Sequence, residues 1–116
     1  MAAPAPPTGF GEMNAAGVLN STTSVELVAA PGANATRVVK LVTFWNADTA
    51  SVTVRLRLTI SGTHRVIAQR TLAPGQDFFA EGPFALDATT DSLTAVLTAA
   101  VAATQPDWTA HFAEVS

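Results

Sequence analysis

Two histidines and one acidic loop are the residues in this sequence whose types could support metal or acid–base chemistry. His64 and His111 lie far apart, and neither belongs to the H-x-H or H-x-x-x-H spacing that brings two imidazoles to one metal ion. Asp87 and Asp91 could offer carboxylates to Ca²⁺, but their loop lacks the repeated acidic pattern and the distal Glu of a calcium-binding loop. We interpret the histidines as structural and the acidic loop as a turn with side-chain-to-backbone hydrogen bonds.

Motifs for nucleophilic catalysis and phosphate binding are missing from the sequence. There is no cysteine, and no G-x-S-x-G, P-loop or G-x-G-x-x-G pattern occurs. Gly9 and Gly11 flank Phe10 in a proline-rich stretch that follows no predicted strand. We therefore predict a structural or binding protein that is not an enzyme and has no catalytic, cofactor-binding or metal-binding residues.

Charge is sparse and unevenly distributed along the chain. Charged residues make up 13% of the 116 residues, about half the usual share. Residues 37–70 carry six basic side chains against one acid, whereas residues 71–116 carry six acids and no Lys or Arg. This indicates a polarised molecule that docks on a partner, unless the opposite charges meet across one sheet. The pI of about 5.1 argues against binding to nucleic acid.

The sequence contains no segment that predicts membrane insertion or secretion. No run of about 18 apolar residues occurs, so no membrane span is expected. Residues 1–20 lack a basic start and a continuous apolar run, so they do not resemble a secretory signal.

The elements that must position any functional residue read as strands. Residues 51–60 alternate strictly, with five branched apolar side chains separated by Ser, Thr and Arg, which predicts a strand with one buried face. Residues 37–45 are β-branched and aromatic, and with 51–60 they predict an antiparallel hairpin. Further strands are expected at 24–28, 64–72, 77–80, 84–86 and 108–115.

Residues 92–104 are ambiguous, because their apolar positions fit both helical and alternating spacing. We favour a strand to about residue 98 followed by an Ala-rich loop. The strand count then predicts a single antiparallel β-sandwich of Ig-like or jelly-roll type, with about seven or eight strands over residues 18–116. Residues 1–17 are rich in Pro and Gly and predict an extended N-terminal arm.

Five residues are candidates for contacts with a partner or a second subunit. Phe10 and Met13 are the large apolar side chains of the arm. Arg55 and Arg57 share the polar face of the alternating strand. Trp45 follows Phe44, so one of the two must point outward. An outward Trp45 would bind or contact a partner, and Trp45 with Trp108 could form a sugar-stacking platform.

The order of turns and strands from about residue 23 to 114 resembles that of small β-sandwich virion proteins of tailed bacteriophages and gene transfer agents. The features concerned are an apolar strand ending at Asn46, the alternating strand after it, the turn from Leu72 to Gly75, and an Asp-x-Leu entry at Asp91 and Leu93. The resemblance implies a non-enzymatic virion protein.

The expected role is a capsid decoration or cement protein that binds the major capsid protein lattice on the outer surface of the head and stabilises it. The alternatives are a minor head–tail connector, tail or fibre component, and a carbohydrate-binding β-sandwich module. Production in the cytoplasm of the bacterial host and homo-oligomers, trimers above all, are expected. No nucleic acid, membrane or cofactor is expected as a partner.

Overall fold

The computed structural model describes residues 10–115, and the regular elements within that range are all β-strands. The predicted all-β fold is thereby confirmed. The eight strands are β1 Phe10–Val18, β2 Val25–Val28, β3 Thr36–Trp45, β4 Val52–Ile60, β5 Thr63–Leu72, β6 Asp77–Leu86, β7 Ser92–Leu97 and β8 Asp107–Val115.

The strands form two antiparallel four-stranded sheets. The first sheet has the order β1-β8-β3-β6, and the second has the order β2-β7-β4-β5. Strand β1 thus pairs with β8, β2 with β7, β3 with β6 and β4 with β5. This is the pairing of one long hairpin rolled up on itself, so the sandwich is an eight-stranded jelly roll and not an Ig-like domain.

The core lies between the two sheets and follows the alternation of the sequence. Val54 and Leu56 of β4 are fully buried, and they face the first sheet, where Val42 and Phe44 of β3 are equally buried. A two-residue period puts alternate side chains on one face of a strand, so the apolar row of β4 enters the core and Arg55 faces outward. The predicted inward face is confirmed for Val52, Val54 and Leu56, but it is wrong at the end of the strand, where Thr59 is buried and Ile60 is 45% exposed after the register shift between Leu56 and Arg57.

The predicted hairpin of residues 37–45 with residues 51–60 is wrong. Strand β3 lies in the first sheet between β8 and β6, whereas β4 lies in the second sheet between β7 and β5. Residues 46–51 cross from one sheet to the other instead of reversing within a sheet. Both strands have one apolar face, and local alternation does not distinguish a strand paired with its neighbour from one packed opposite it.

The two short strands predicted at 77–80 and 84–86 are one continuous strand, β6. Its register against β3 shifts by one residue, since Val39 pairs with Phe84 and Leu41 with Glu81. The cis Gly82–Pro83 pair lies at this bulge on an edge strand, which is where a sheet tolerates a proline without an N–H donor. A Cβ on Gly82 would lie 2.2 Å from the carbonyl oxygen of Val39, so only glycine fits there.

The N-terminal segment predicted as an arm over residues 1–17 is partly a strand of the sandwich. Residues 10–18 form β1, which pairs with β8 along its full length from Phe10 opposite Val115 to Val18 opposite Asp107. Residues 1–9 lie outside the described residues. The small side chains of this segment gave no alternation from which its pairing with β8 could be inferred.

The ambiguous segment 92–104 begins with strand β7 and continues as a loop, so the favoured alternative is confirmed. Its neighbours β2 and β4 pair with it on both sides, which leaves most of its side chains buried. No helix in residues 10–115 is long and apolar enough to cross a membrane.

Two buried polar side chains organise the crossing at residues 46–51. Asn46 is 1% exposed, and its amide nitrogen donates to the carbonyl oxygens of Ala50 and Leu72, both at 3.0 Å. Its amide oxygen accepts from the backbone N–H of Asp48 at 2.9 Å. Asn46 therefore connects the end of β3, the crossing and the end of β5, with its side-chain donors and acceptor satisfied.

Asp48 fixes the loop between β7 and β8 to the same crossing. Its carboxylate accepts from the backbone N–H groups of Ala102 at 2.8 Å, Thr104 at 3.0 Å and Ala103 at 2.8 Å. These bonds, that of Ala102 first, lower the pKa of Asp48 from 3.8 to about 2. The charged carboxylate thus organises three consecutive loop amides.

Replacing Asn46 by Ala is expected to lower the free energy of unfolding by about 2–4 kcal/mol, because backbone groups of Leu72 and Asp48 lose a buried hydrogen bond and that of Ala50 loses a part-buried one. Urea unfolding measured by circular dichroism checks this. Asn20→Ala is the matched control, because Asn20 is exposed. An equal stability for the two variants would contradict the role given to Asn46.

The contribution of Asp48 should depend on pH with a defined sign. Because its folded pKa is depressed, the stabilisation is fully present above about pH 3.8 and is lost as the pH falls towards 2. Urea unfolding between pH 7 and 2 should therefore show a gap between the wild type and Asp48→Asn that closes over this window. Asp87→Asn, a change of an exposed carboxylate, should show a smaller gap at pH 7.

Candidate functional site

The five candidate contact residues do not form one surface. Met13 on β1 and Trp45 on β3 belong to the first sheet, and their side chains are 39% and 46% exposed. Phe10 is the first residue of β1. Arg55 and Arg57 lie on the outer face of the second sheet, on the opposite side of the sandwich from Trp45. Contact roles for all five residues stay predictions. Of the five, Trp45 lines a depression of the surface.

Trp45 lies at the edge of an open depression on the outer face of the first sheet. The depression has a volume of about 180 Å³. Phe79 of β6 is 60% exposed beside it, and the hydroxyls of Thr43 and Thr109 are hydrogen-bonded to each other across the neighbouring strands. We call this feature the Trp45 depression; it is lined by Thr43, Phe44, Trp45, Asp77, Phe79, Asp107, Trp108 and Thr109.

The outward direction of Trp45 follows from strand parity and from the crossing behind it. Phe44 is 1% exposed and stacks on Phe78 at 5.8 Å between ring centroids, so its neighbour must face outward. Backbone bonds of Asn46 with Gly75 and Gln76 hold the end of β3 against the turn before β6. Gly75 has a φ of +77°, and a Cβ there would come within 4.0 Å of the Trp45 ring.

The surroundings of Trp45 are acidic. Its cross-strand neighbours are Asp77 on one side and Asp107 on the other. The ion pairs within residues 10–115 involve Glu12 and Glu114 as their acids, so neither aspartate has a basic partner in that part of the chain. An aromatic side chain flanked by two uncompensated carboxylates favours a ligand or partner that is apolar at its centre and basic or hydroxyl-rich at its edge.

The other half of the same face is internally paired. Glu12 contacts both Lys40 and His111, and the Nε2 of His111 lies 3.0 Å from its carboxylate. The hydrogen bond from Lys40 is the main cause that lowers the pKa of Glu12 below its usual value. The Nδ1 of His111 lies 2.6 Å from the side-chain oxygen of Asn14. These charges are compensated within the chain, which distinguishes them from the pair beside Trp45.

The residues first considered for chemistry take structural positions. His64 contacts the hydroxyl of Thr59 at 2.6 Å on the second sheet, far from His111 on the first. Asp91 accepts from the backbone N–H groups of Asp87 at 3.3 Å and Ala88 at 3.2 Å, which confirms the predicted turn. Within residues 10–115, no group of three or more His, Asp or Glu side chains could hold a metal ion.

The prediction that Trp45 and Trp108 together form a sugar-stacking platform is wrong for Trp108, which is buried. Trp108 is 7% exposed, and its indole N–H donates to the carbonyl oxygen of Val18 at 3.3 Å. The exposed aromatic partner of Trp45 is Phe79. Because Phe78 and Phe79 are adjacent in one strand, the sequence requires one of the two rings to face outward. The structure was needed to show that the outward ring is that of Phe79.

The chain matches no protein-family model and no curated protein sequence. Among solved structures, PirA is similar with a TM-score of 0.53 and 11% identity, covering 87% of this chain and 92% of PirA. A protein of the Bacillus endospore appendages, described as a family of disulfide-linked pili, is similar with a TM-score of 0.48 and 15% identity, covering 100% of this chain and 96% of the other. The likeness to PirA is one of fold, and these 116 residues contain no cysteine.

Proposed function

We propose that the protein is a non-enzymatic structural subunit of a larger protein assembly and that the Trp45 depression is its docking surface. The observation that carries this proposal is the exposure of Trp45 and Phe79 beside two uncompensated aspartates. Large aromatic side chains are enriched in the cores of protein interfaces, and Trp is frequent among the residues that dominate binding energy. A partner subunit that covers the depression would bury both rings.

The proposed setting is the outer surface of a phage head, where the protein acts as a decoration or cement protein bound to the major capsid protein lattice. Three features support this setting: the resemblance carried by the turns and strands, the low charged fraction, and the eight-stranded jelly roll, an architecture that viral capsid domains use alongside lectins and cupins. A minor head–tail connector, tail or fibre component is the alternative within the same class.

The edge strand β1 is proposed as a second contact element of the assembled subunit. Phe10 and Met13 belong to this strand, which pairs on one side with β8 and on the other side with no strand of residues 10–115. It contains no proline, no lysine and no arginine, which are the residues that commonly block further pairing at a sheet edge. An extended segment of a neighbouring subunit could add to this edge.

The docking role of Trp45 is tested with purified heads that lack this protein. The wild type is expected to sediment with such heads, and the Trp45→Ala, Phe79→Ala double variant should bind at least about 30-fold more weakly, the loss of an interface hot spot. Val115→Ala, a change of an exposed side chain away from the depression, is the control. Full binding by the double variant would refute the docking surface. The copy number per particle distinguishes a protein that covers the head from one that forms a ring in the tail or neck.

Carbohydrate binding is the second candidate, because an exposed aromatic ring between carboxylates can stack on a sugar and accept bonds from its hydroxyls. Glycan titration followed by tryptophan fluorescence should then give saturable binding. Trp45→Ala should abolish it and Asp107→Asn should weaken it about tenfold, the effect of one hydrogen bond to a charged group. Binding that survives Trp45→Ala would exclude this site.

A further inference from the structure

The hairpin formed by β4 and β5 is the most exposed part of the second sheet. Strand β5 lies at the edge of the sheet and pairs with β4 alone. Its residues Thr63 to Ile67 are exposed, including Val66 at 53% and Ile67 at 36%, and Ile60 at the end of β4 is 45% exposed. Apolar side chains of this size concentrated on one hairpin indicate a surface that is covered in an assembly.

This hairpin is also the basic part of the molecule. Residues 52–72 contain four arginines and no acid. Within residues 10–115, none of the four forms an ion pair: Arg55 donates to Gln69, Arg57 donates to Ser24, and Arg70 lies over the Phe78 ring at 5.0 Å. The possibility that the opposite charges of the sequence meet across one sheet is therefore excluded for these residues.

The tip of the hairpin and the Trp45 depression lie at opposite ends of the sandwich, whereas the base of the hairpin, at Leu72, contacts Asn46 next to Trp45. Strand β4 starts after the crossing that follows Trp45 and runs away from it to Ile60, so the turn at Ser61 and Gly62 lies at the far end. The longest dimension of the molecule is 50 Å. The two surfaces also lie on the outer faces of different sheets, so they cannot meet within one molecule, whereas two molecules placed head to tail can bring them together.

The chemistry of the two surfaces is complementary. Val66 has Arg57 opposite it across the ladder on the same outer face, whereas Arg65 pairs with Leu58 and projects from the other face of this edge strand. Trp45 has an aspartate on each side and Phe79 on the next row of the sheet. An apolar centre with basic neighbours thus matches an aromatic centre with acidic neighbours, which sets the register of a contact and accelerates its formation.

We infer that the Trp45 depression of one copy receives the β4–β5 hairpin of a second copy, which joins the subunits head to tail. This inference rests on the proposed function and names the partner at its docking surface. Two different surfaces meet in such a contact, so it repeats from subunit to subunit and produces either a closed ring or an open filament.

The structure also favours side-chain docking over pairing of strand edges at this hairpin. Leu56 pairs with Ala68 and Arg57 with Val66, so Ile67 is an extra residue in β5. A bulge and arginine side chains on an edge strand oppose the addition of a further strand. The exposed valine and isoleucine are then available to a concave surface.

The inference is tested by sedimentation velocity on the full chain at low and high salt. A hairpin variant, Arg65→Glu with Val66→Ser, and a depression variant, Trp45→Ala with Asp77→Lys, are compared with the wild type and with Val115→Ser as the control. The wild type and the control should associate with increasing concentration, less so at high salt. Each double variant should associate at least about 30-fold more weakly, with unchanged circular dichroism.

Mixing the two variants gives the decisive result. The mixture contains one intact hairpin and one intact depression, so it should form dimers and nothing larger. A mixture that stays monomeric while the wild type associates would overturn the inference, as would association that survives in either variant. If association requires residues 1–9 but not the hairpin, the occupant of the depression would be that segment, and the inference would again be overturned.

The proposed function can fail separately from this inference. If the wild type stays monomeric but binds heads through Trp45, the docking surface stands and the second copy as its occupant is wrong. If neither self-association nor binding to heads changes in the Trp45→Ala, Phe79→Ala variant, both proposals fail.

Discussion

The buried crossing at residues 46–51 is the constraint on which the arrangement of the molecule depends. In this jelly roll, successive strands lie in opposite sheets except for the β4–β5 hairpin, so the chain must pass the end of the core repeatedly, and the peptide groups there need partners. Asn46 supplies three hydrogen bonds to the chain around this passage, and Asp48 supplies three to the loop before β8. Without Asn46, backbone groups of Leu72 and Asp48 would be buried without partners, which costs about 1–3 kcal/mol for each group.

The same crossing determines which aromatic ring the protein exposes. Since side chains alternate along a strand, a shift of β3 by one residue would bury Trp45 and expose Phe44. The bonds of Asn46 to Gly75 and Gln76 fix the end of the strand and exclude that shift. The position of the depression is thus a consequence of how the backbone is held where the chain changes sheets.

The sequence predicted strands and their buried faces where one face is uniformly apolar. It did not predict which strands pair with each other. The alternation from Val52 to Ile60 predicted a strand and its buried face, because burial on one side imposes a period of two. The alternation could not show that β3 lies in the other sheet. The same apolar side chains are buried whether β3 pairs with β4 or packs opposite it. Residues 10–17 carry small side chains and glycines, so their pairing with β8 left no pattern. Parity required one outward aromatic at Phe44 and Trp45, but only the fold placed Phe79, Asp77 and Asp107 around it.

Charge segregation in the folded molecule has a physical cost that an assembly would remove. Glu12 pairs with Lys40 and Glu114 pairs with Arg37, and the carboxylates of Asp48 and Asp91 accept hydrogen bonds from loop amides. The arginines of β4 and β5 and the aspartates beside Trp45 form no ion pair within residues 10–115. Arg55 and Arg57 lie on the outer face opposite to that of Asp77 and Asp107, and screening by salt weakens attraction across the sandwich. Exposed aromatic and aliphatic side chains accompany both groups, which in a solitary monomer would promote non-specific association. A contact between these two surfaces would pair the opposite charges and bury the apolar side chains at the same time. A ligand as small as a sugar could cover the depression but would leave the basic hairpin exposed.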